Sequence, residues 1–543
     1  MTQALSGIPT EPNERLEKGT AMNPLCSARR FTLPVPSGSV PSGSRNAGGW
    51  FSSQRLGGWA MILVFAAVGG LGCAVQVAAD EQASVRGSRP NFIFLLLDDA
   101  GWTDTGAYGG RMLTPHLDRL AADGIAFTDA HSPAPNCSPS RAGILTGRIP
   151  ARTGIYSYLP VAHPMHLRAE EITVADLAVQ AGYRTGLFGK WHLSDLDNAD
   201  QPGPLDQGFE VSFATSNNAA PSHRDPVNFR RNGQAVGKIE GYSCQILVDE
   251  TIDWLDSIGA GQEDAAPFLA CVWFHEPHTP IASPPELVQA CLERHPELTQ
   301  RQAEYLANIE NVDRAVGRLL DWLDQRDLAR DTVVWFTSDN GPLNAFSKGD
   351  LRGLKSHVWE GGHRVPAIVR WTGRIQPGMW CSVPVSGIDF LPTFCELVGV
   401  QVPADRTIDG VSQVPLWLGR EDDFHRATPL YWYFYRLNPS LAMRDGDWCI
   451  VAHTDDADRP KAHPLLREDM PRVLQAKPVR WQLFHLGRDR GQTIDLADDE
   501  PQQLERMKRQ LDKLHAEVLS EGVRWDIPES YQSRANRRVW DSE

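Results

Sequence analysis

Cysteine is scarce in this chain and scattered along it. The 543 residues include nine cysteines, and no two of them form a CxxC pair or join a cluster of histidines. Domains held together by disulfides carry cysteine at a much higher density, and a structural zinc site needs grouped cysteine and histidine ligands. The sequence therefore argues against both kinds of protein.

Positive charge is in short supply as well. Lysine and arginine number 53 against 68 aspartates and glutamates, so the formal net charge is −15 with histidine neutral. A general nucleic-acid binder needs basic surface to neutralise phosphates, and no nucleic-acid partner is expected here. The 41% hydrophobic and 22% charged residues are ordinary for a globular protein, and the length allows about two to four domains.

Long apolar runs are absent except for one near the N-terminus. Residues 59–79 read WAMILVFAAVGGLGCAVQVAA, without a charge, and Arg45 and Arg55 precede them. An apolar run that ends in small residues is typical of a secretory signal, so we interpret residues 1–79 as a disordered n-region and signal peptide of a protein exported to the periplasm or the extracellular space. The alternatives are a membrane anchor, because the run nearly reaches the ~20 residues that a span needs, and lipidation at Cys73.

Strand-like and helix-like patterns alternate from residue 91 onward. The segment 91–99 contains a continuous apolar run, typical of a strand buried on both faces, and further strand candidates cover residues 183–191, 267–274 and 331–338. Helical periodicity or capping residues mark residues 114–124, 173–182, 242–257 and 301–325. This alternation predicts an α/β fold with a mostly parallel sheet flanked by helices.

The pattern changes after about residue 425. Short strand-like runs follow one another between turn residues, and a helix is predicted over about 500–520. We therefore predict a large catalytic domain over residues 90–425 and a smaller C-terminal α+β domain over 426–543 that contains an antiparallel sheet.

Acidic residues follow two of the buried strands directly. Asp98 and Asp99 come after one apolar run, and Asp339 and Asn340 come after another. Ligands of open α/β sheets bind at the carboxyl ends of the strands, and four oxygen-bearing side chains there can hold a hard divalent cation. The alternative is a helix cap at Asp98 and an ordinary turn at Asp339.

Further candidates for chemistry stand at the same predicted edge. Cys137 precedes a helix-like run in NCSPSRAGILTGR, and a helix N-terminus favours anions; the alternative is a small buried hydrophobe. Lys190 and His192 follow one strand, and His278 follows another. Lys355 lies before the glycine pair in LKSHVWEGGHRVP.

These segments together resemble the sulfatase family, within the alkaline-phosphatase-like superfamily. CSPSRAGILTGR matches the family signature, and LLLDDAGWTDTGAYG, GKWHL, HEPHTP, SDNG and K-x₄-EGG stand in family order. The resemblance runs from about Asn91 to at least Asp409 and is strongest toward arylsulfatase A and N-acetylgalactosamine-6-sulfatase. It implies a large mixed sheet of the alkaline-phosphatase type.

The resemblance also implies a role for each matched residue. Cys137 would be oxidised to formylglycine, whose gem-diol would be the nucleophile and a further metal ligand. The implied ligands of one calcium ion are otherwise Asp98, Asp99, Asp339 and Asn340. The implied roles of the remaining residues are holding the formylglycine oxygen (Arg141, Lys190), deprotonation in the second step (His192) and sulfate binding with help to the leaving oxygen (His278, Lys355).

The implied function is hydrolysis of sulfate monoesters, of sulfated carbohydrates or of aryl sulfates, after maturation by a formylglycine-generating enzyme. One alternative is a phosphatase or phosphodiesterase of the same superfamily, which would use Ser or Thr and two zinc ions. The other is an inactive carbohydrate-binding relative. The loop over 216–240 is a candidate specificity loop, with His223, Arg224, Arg230 and Arg231 available for anionic groups, or a solvated basic loop.

Overall fold

The computed structural model describes residues 87–437, 439–455 and 465–531. The segment interpreted as a signal peptide or anchor, with Cys73, lies outside these ranges. Within them, no helix is long and apolar enough to cross a lipid bilayer.

Of the sixteen strands in the described ranges, ten form one mixed sheet in the centre. The strands are β1 (Asn91–Leu97), β2 (Ile125–Phe127), β3 (Ala130–His131), β4 (Arg184–Lys190), β5 (Val211–Thr215), β6 (Arg230–Arg231), β7 (Gln234–Ala235), β8 (Phe268–Trp273), β9 (Thr332–Ser338), β10 (Ala367–Arg370), β11 (Met379–Cys381), β12 (Val385–Ser386), β13 (Leu430–Tyr433), β14 (Leu441–Asp445), β15 (Trp448–Thr454) and β16 (Pro478–His485). The order of the central sheet is β11-β2-β10-β9-β1-β8-β4-β5-β6-β7. Its middle, from β9 to β5, is parallel, which confirms the predicted fold class, and antiparallel pairs flank it.

Helices cover both faces of this sheet. They are α1 (Pro115–Ala122), α2 (Cys137–Thr146), α3 (Val174–Gln180), α4 (Ser243–Ser257), α5 (Pro285–Arg294), α6 (Gln300–Gln325), α7 (Glu360–His363), α8 (Phe390–Val398), α9 (Val414–Trp417), α10 (Asp469–Gln475) and α11 (Pro501–Glu521). The expected capping box of α3 is present, because Thr173 accepts from the Asp176 amide and Asp176 accepts from the Thr173 amide.

The buried strand β1 separates two hydrophobic layers. Its side chains alternate between them, with Phe92 and Phe94 in one layer and Ile93 and Leu95 in the other. A strand that buries both faces needs apolar residues at every position, which explains the unbroken run that identifies β1 in the sequence. Parallel crossovers of this kind bring the carboxyl ends of the central strands to one edge of the sheet.

The C-terminal strands β13 to β16 form a separate four-stranded antiparallel sheet, as expected from the pattern after residue 425. Arg444 of β14 reaches back to Asp129, with its two terminal nitrogens 2.5 and 2.7 Å from the two carboxylate oxygens. The indole of Trp432 donates to the carbonyl of Ser132 at 2.9 Å. These buried contacts hold the C-terminal sheet against the segment that leads into Cys137.

A glycine at the carboxyl end of β4 is required by close strand packing. Gly189 has φ of +116°, and a Cβ there would lie 1.8 Å from the carbonyl oxygen of Trp273 on β8. Both the left-handed backbone and the overlap exclude other residues without a shift of the strand.

We predict that Gly189→Ala lowers the free energy of unfolding by about 2–5 kcal/mol and reduces activity, because the strand must move next to Lys190. Scanning calorimetry at one fixed rate measures the first effect. Gly203→Ala is the matched control, since a Cβ there meets its nearest atoms at 3.8 Å. Equal thermal stability of the two variants would contradict the packing argument.

Candidate active site

The acidic residues leave two neighbouring strands at matched positions. β1 and β9 pair in parallel with Leu97 opposite Ser338, so Asp98 and Asp339 are the first residues beyond the sheet on each strand. β8 and β4 continue on the other side of β1, and β4 ends at Lys190. The topology of the sheet thus brings the residues that follow these strands to one edge.

Four oxygen-bearing side chains form a buried cluster at this edge. Asp98, Asp99, Asp339 and Asn340 are each at most 2% exposed. The amide of Asp99 donates to Asp339 Oδ1 at 3.2 Å, and Asn340 Nδ2 donates to Asp99 Oδ1 at 2.7 Å. Asp99 has φ of +67°, a left-handed conformation uncommon outside glycine, so the turn after β1 is held in a strained form that aims this carboxylate at its neighbours.

The cluster has the donor set of a hard-cation site. Three of its buried oxygens, Asp98 Oδ1, Asp99 Oδ2 and Asn340 Oδ1, receive no hydrogen bond from the described residues. A buried acceptor without a partner costs about 1–3 kcal/mol, and an ion such as calcium is bound by carboxylate and amide oxygens. Ligand atoms of Asp98, Asp99 and His278 lie within 4.8 Å of one another. The residues present therefore fit a divalent cation.

Cys137 is the first residue of α2 and is only 2% exposed. Arg141 follows four residues later, so the two side chains lie on the same face of the helix. Arg141 Nε donates to Asp339 Oδ2 at 2.9 Å, and Arg141 Nη1 donates to the carbonyl of Lys190 at 2.8 Å. The helix thereby connects residue 137 to the acidic cluster.

Two lysines complete the charge balance. Lys190 Nζ donates to Asp98 Oδ2 at 2.6 Å, and Lys355 Nζ donates to Asp99 Oδ1 at 2.5 Å. Both ammonium groups are at most 7% exposed. With Arg141, they place three cations among three carboxylates, so that no charge is buried alone.

Burial and these opposing charges set the protonation of the cluster. Burial alone would raise the pKa of Asp98, but the charge of Lys190 and of further cations outweighs it and holds that pKa well below its ordinary value. Burial and the negative charge of Asp98 raise the pKa of Asp339 to about 7. A bound cation would lower the pKa of Asp339 again.

The thiol of Cys137 is poorly suited to act unmodified. Burial raises its pKa above the ordinary value, despite the nearby charges of Lys190 and Lys355. A reactive cysteine needs a lowered pKa, because the thiolate is the nucleophile. The site is therefore built around residue 137 without activating its thiol.

His192 presents an unprotonated nitrogen to the site. Its Nε2 lies 3.0 Å from the carbonyl of Leu159, to which only an N–H can donate, so the lone pair of the neutral ring is on Nδ1. His192 Nδ1 is buried and has no partner among the described residues. Burial and the charge of Lys190 hold the pKa of His192 well below the ordinary value. The ring is neutral and able to accept a proton at Nδ1.

His278 is oriented by a residue that the sequence pattern does not reveal. His278 Nδ1 lies 2.7 Å from Asn218 Nδ2 and 2.6 Å from the carbonyl oxygen of Thr279. A carbonyl oxygen only accepts, so the contact with Thr279 needs a proton on Nδ1, and His278 can then donate from Nε2 only as an imidazolium. His278 Nε2 faces Asp99 Oδ2 at 3.5 Å. Burial lowers the pKa of His278 to about 4. His275 is buried and does not line the cavity described below; its Nε2 lies 2.8 Å from Thr215 Oγ1.

A cavity of about 340 Å³ opens onto this group of residues. It brings together four of the sequence-predicted residues, namely Cys137, His192, His278 and Lys355. The remaining predicted residues are buried and hydrogen-bonded mostly to one another, and Asp99 joins them to the cavity by accepting from Lys355. The rest of its lining includes Tyr158, Asn217, Phe434, Arg436 and Leu437, and of these only Asn217 lies in a segment that the sequence marked as a candidate for the site.

The candidate specificity loop does not contribute its basic residues to this cavity. Arg230 pairs with Asp197 and Arg231 pairs with Glu250. His223 is buried, and its Nδ1 lies 3.9 Å from Glu276. Arg224 is exposed and does not line the cavity. Two other residues of the loop over 216–240 reach the site. Asn217 lines the cavity, and Asn218 contacts His278.

The sulfatase family model matches residues 90–400, and the C-terminal model of N-sulphoglucosamine sulphohydrolase matches residues 354–461. The chain is 32% identical over 426 residues to N-acetylgalactosamine-6-sulfatase of Canis lupus familiaris, covering 72% of this chain and 75% of the relative. It is 31% identical over 417 residues to arylsulfatase G of the same species, covering 68% and 75%.

A solved structure shares the fold. Ps i-CgsB, crystallised in complex with k-i-k-neocarrahexaose, superposes with a TM-score of 0.69 at 24% identity, covering 84% of this chain and 98% of that one. The sequence match, the arrangement of the sheet edge and the shared fold agree. The chain belongs to the sulfatase family and is a sulfuric ester hydrolase.

Proposed function

We propose that the chain removes sulfate from sulfated carbohydrates by means of formylglycine at position 137 and one calcium ion. The observation that supports this most directly is the cavity in which Cys137 meets His192, His278 and Lys355, in front of an acidic cluster with unpartnered oxygens. The saccharide bound by Ps i-CgsB and the name of the N-acetylgalactosamine-6-sulfatase relative favour a carbohydrate over a simple aryl sulfate.

The charge of the site suits a sulfate monoester. Such an anion repels nucleophiles, so positive groups must surround it in the transition state. Lys355 lines the cavity and donates to Asp99, and Lys190 donates to Asp98 in the same cluster. Calcium held by Asp98, Asp99, Asp339 and Asn340 would supply further positive charge for the sulfate oxygens.

Residue 137 would supply the nucleophile. A hydrated formylglycine would carry two hydroxyls. One would attack sulfur and expel the alcohol, and the other would lose its proton and re-form the aldehyde as sulfate leaves; addition of water to the aldehyde would then restore the hydrate. Arg141 fixes this end of α2 through Asp339 and the carbonyl of Lys190. A buried thiol with a raised pKa has no comparable chemistry.

The two histidines divide the proton transfers. His278, as an imidazolium, would donate from Nε2 to the oxygen of the departing alcohol, and the negative charge of a bound sulfate favours this protonated form. His192 accepts a proton at Nδ1 in the second step, when sulfate is released. The carbonyl of Leu159 holds His192 in the tautomer that this role requires.

We also propose that the protein is exported after removal of residues 1–79, with a formylglycine-generating enzyme acting during maturation. The support is the apolar run that ends in small residues. The mass of the exported chain distinguishes cleavage from retention as an anchor or lipidation at Cys73.

The first prediction concerns Cys137. In a host with a competent maturation enzyme, mass spectrometry of the peptide that spans residue 137 should show an aldehyde or its hydrate. Cys137→Ser should lose activity by roughly 10³-fold or more, since serine cannot be converted by the same route. Cys291→Ala, on α5 and outside the cavity, is the matched control and should keep its activity. An active enzyme that carries only the unmodified thiol would refute this proposal.

The second prediction concerns the metal. Elemental analysis should find one calcium per chain, and added calcium should raise the melting temperature, as a ligand of the folded state does. Asp339→Ala should lose both the metal and the stabilisation. The control is Asp104→Asn, a buried residue that accepts from the Gly101 amide and Tyr305 instead of joining the cluster. Two tightly bound zinc ions would favour the phosphatase or phosphodiesterase alternative.

The third prediction separates the two histidines. Loss of a general acid costs about 10²–10⁴-fold, but only when the leaving group needs a proton. His278→Ala should therefore impair sugar sulfates much more than an activated aryl sulfate. His192→Ala should slow all substrates to a similar kcat, because the alcohol has already departed when His192 acts. Steady-state kinetics with both classes of substrate measure this, and the opposite pattern would reverse the two assignments.

A further inference from the structure

One wall of the active-site cavity comes from the C-terminal sheet. The connection after β13 contributes Phe434, Arg436 and Leu437 to the same cavity as Cys137. Phe434 is 2% exposed and belongs to a hydrophobic cluster together with Trp432. The wall is therefore anchored in the folded C-terminal sheet and is part of a defined pocket.

Arg436 is the basic residue of this wall. Its guanidinium lies over the ring of Tyr158, 5.1 Å from the centroid, and the side chain is half-buried. The N–H groups of a guanidinium lie in its own plane, so a guanidinium that lies over an aromatic ring can still donate them to another acceptor. Tyr158 also lines the cavity, so the stack holds Arg436 at the pocket.

Arg436 differs from the other cations of the site because no carboxylate neutralises its charge among the described residues. Lys190, Lys355 and Arg141 each pair with a buried carboxylate. Among the described residues, no carboxylate lies within ion-pair distance of Arg436. The three cationic side chains at the sheet edge thus balance the negative charge of the acidic cluster, whereas Arg436 adds a net positive charge to the cavity.

We propose that Arg436 binds a second anionic group of the substrate, separate from the sulfate that is cleaved. This rests on the proposed hydrolysis of sulfated carbohydrates. The group is a uronate carboxylate or an additional sulfate on the glycan, because guanidinium recognises both with paired hydrogen bonds. Phe434 and Leu437 beside it give apolar surface for a sugar ring. Arg436 thereby makes the enzyme selective for glycans with more than one negative charge.

The test compares three disaccharides that carry the same cleavable sulfate. One has no other charge, one has a neighbouring uronate, and one has a second sulfate that the enzyme does not remove. The wild type should show a higher kcat/KM for one or both of the doubly charged substrates than for the first. In Arg436→Gln that preference should fall about 10- to 100-fold, the range for a hydrogen bond to a charged group, mainly through KM.

Two further variants make the result specific. Arg436→Lys should keep part of the preference, because it retains the charge without the planar pair of donors. Arg224→Gln removes an exposed arginine of the loop over 216–240 and should leave the preference unchanged. The charged substrate that loses its advantage in Arg436→Gln identifies whether carboxylate or sulfate is bound.

The outcomes separate this inference from the proposed function. A wild type that hydrolyses all three disaccharides with equal kcat/KM, or an Arg436→Gln variant that keeps the preference, overturns the role of Arg436 alone. A preference that Arg436→Gln and Arg224→Gln reduce equally also overturns it, since a general surface charge would then suffice. A correctly matured wild type that cleaves none of the sulfates overturns the proposed function itself.

Discussion

Three carboxylates at the centre of this fold are buried and must be neutralised there. Asp98, Asp99 and Asp339 are almost completely removed from water, and an unpaired buried charge costs several kcal/mol. The cations that offset them come from separate elements: Arg141 from α2, Lys190 from the end of β4, and Lys355 from the loop before α7. Each of these elements must be in place before any of the carboxylates is stable in its buried position. The fold and the reactive site are therefore one cooperative arrangement.

Parallel strands provide the geometry that this arrangement needs. The register of β1 against β9 places Leu97 opposite Ser338, and one further residue on each strand brings the acidic side chains together. Gly341 follows at once, where a Cβ would lie 2.1 Å from the carbonyl oxygen of Gly361. Close backbone contact thus brings the segment of Lys355 and α7 onto the same edge. Small residues at the edge allow charged residues to converge there.

Much of the fold and the central residues could be predicted from sequence, since they depend on local pattern and on strand topology. The unbroken apolar run of β1, the capping box at Thr173 and the acidic pairs after two strands are signals of that kind. The roles of individual residues depend on the family resemblance. Arg436 and Asn218 could not be predicted, because a distant antiparallel sheet and an irregular loop bring them to the cavity. The basic residues of that loop were candidates for anionic groups of a substrate, with a solvated loop as the alternative, and nearby acids such as Asp197 and Glu250 bind two of them.

The burial of Cys137 limits the stage at which its side chain can be modified. Its side chain is 2% exposed, and every residue of α2 is buried around it. A modifying enzyme needs to hold several residues on either side of its target in an accessible, extended form, which the folded chain does not offer. The oxidation proposed at position 137 would therefore have to precede the docking of α2. A chain that folded first would be closed to this modification and would keep its thiol, so the relative rates of folding and modification would set the active fraction of a preparation.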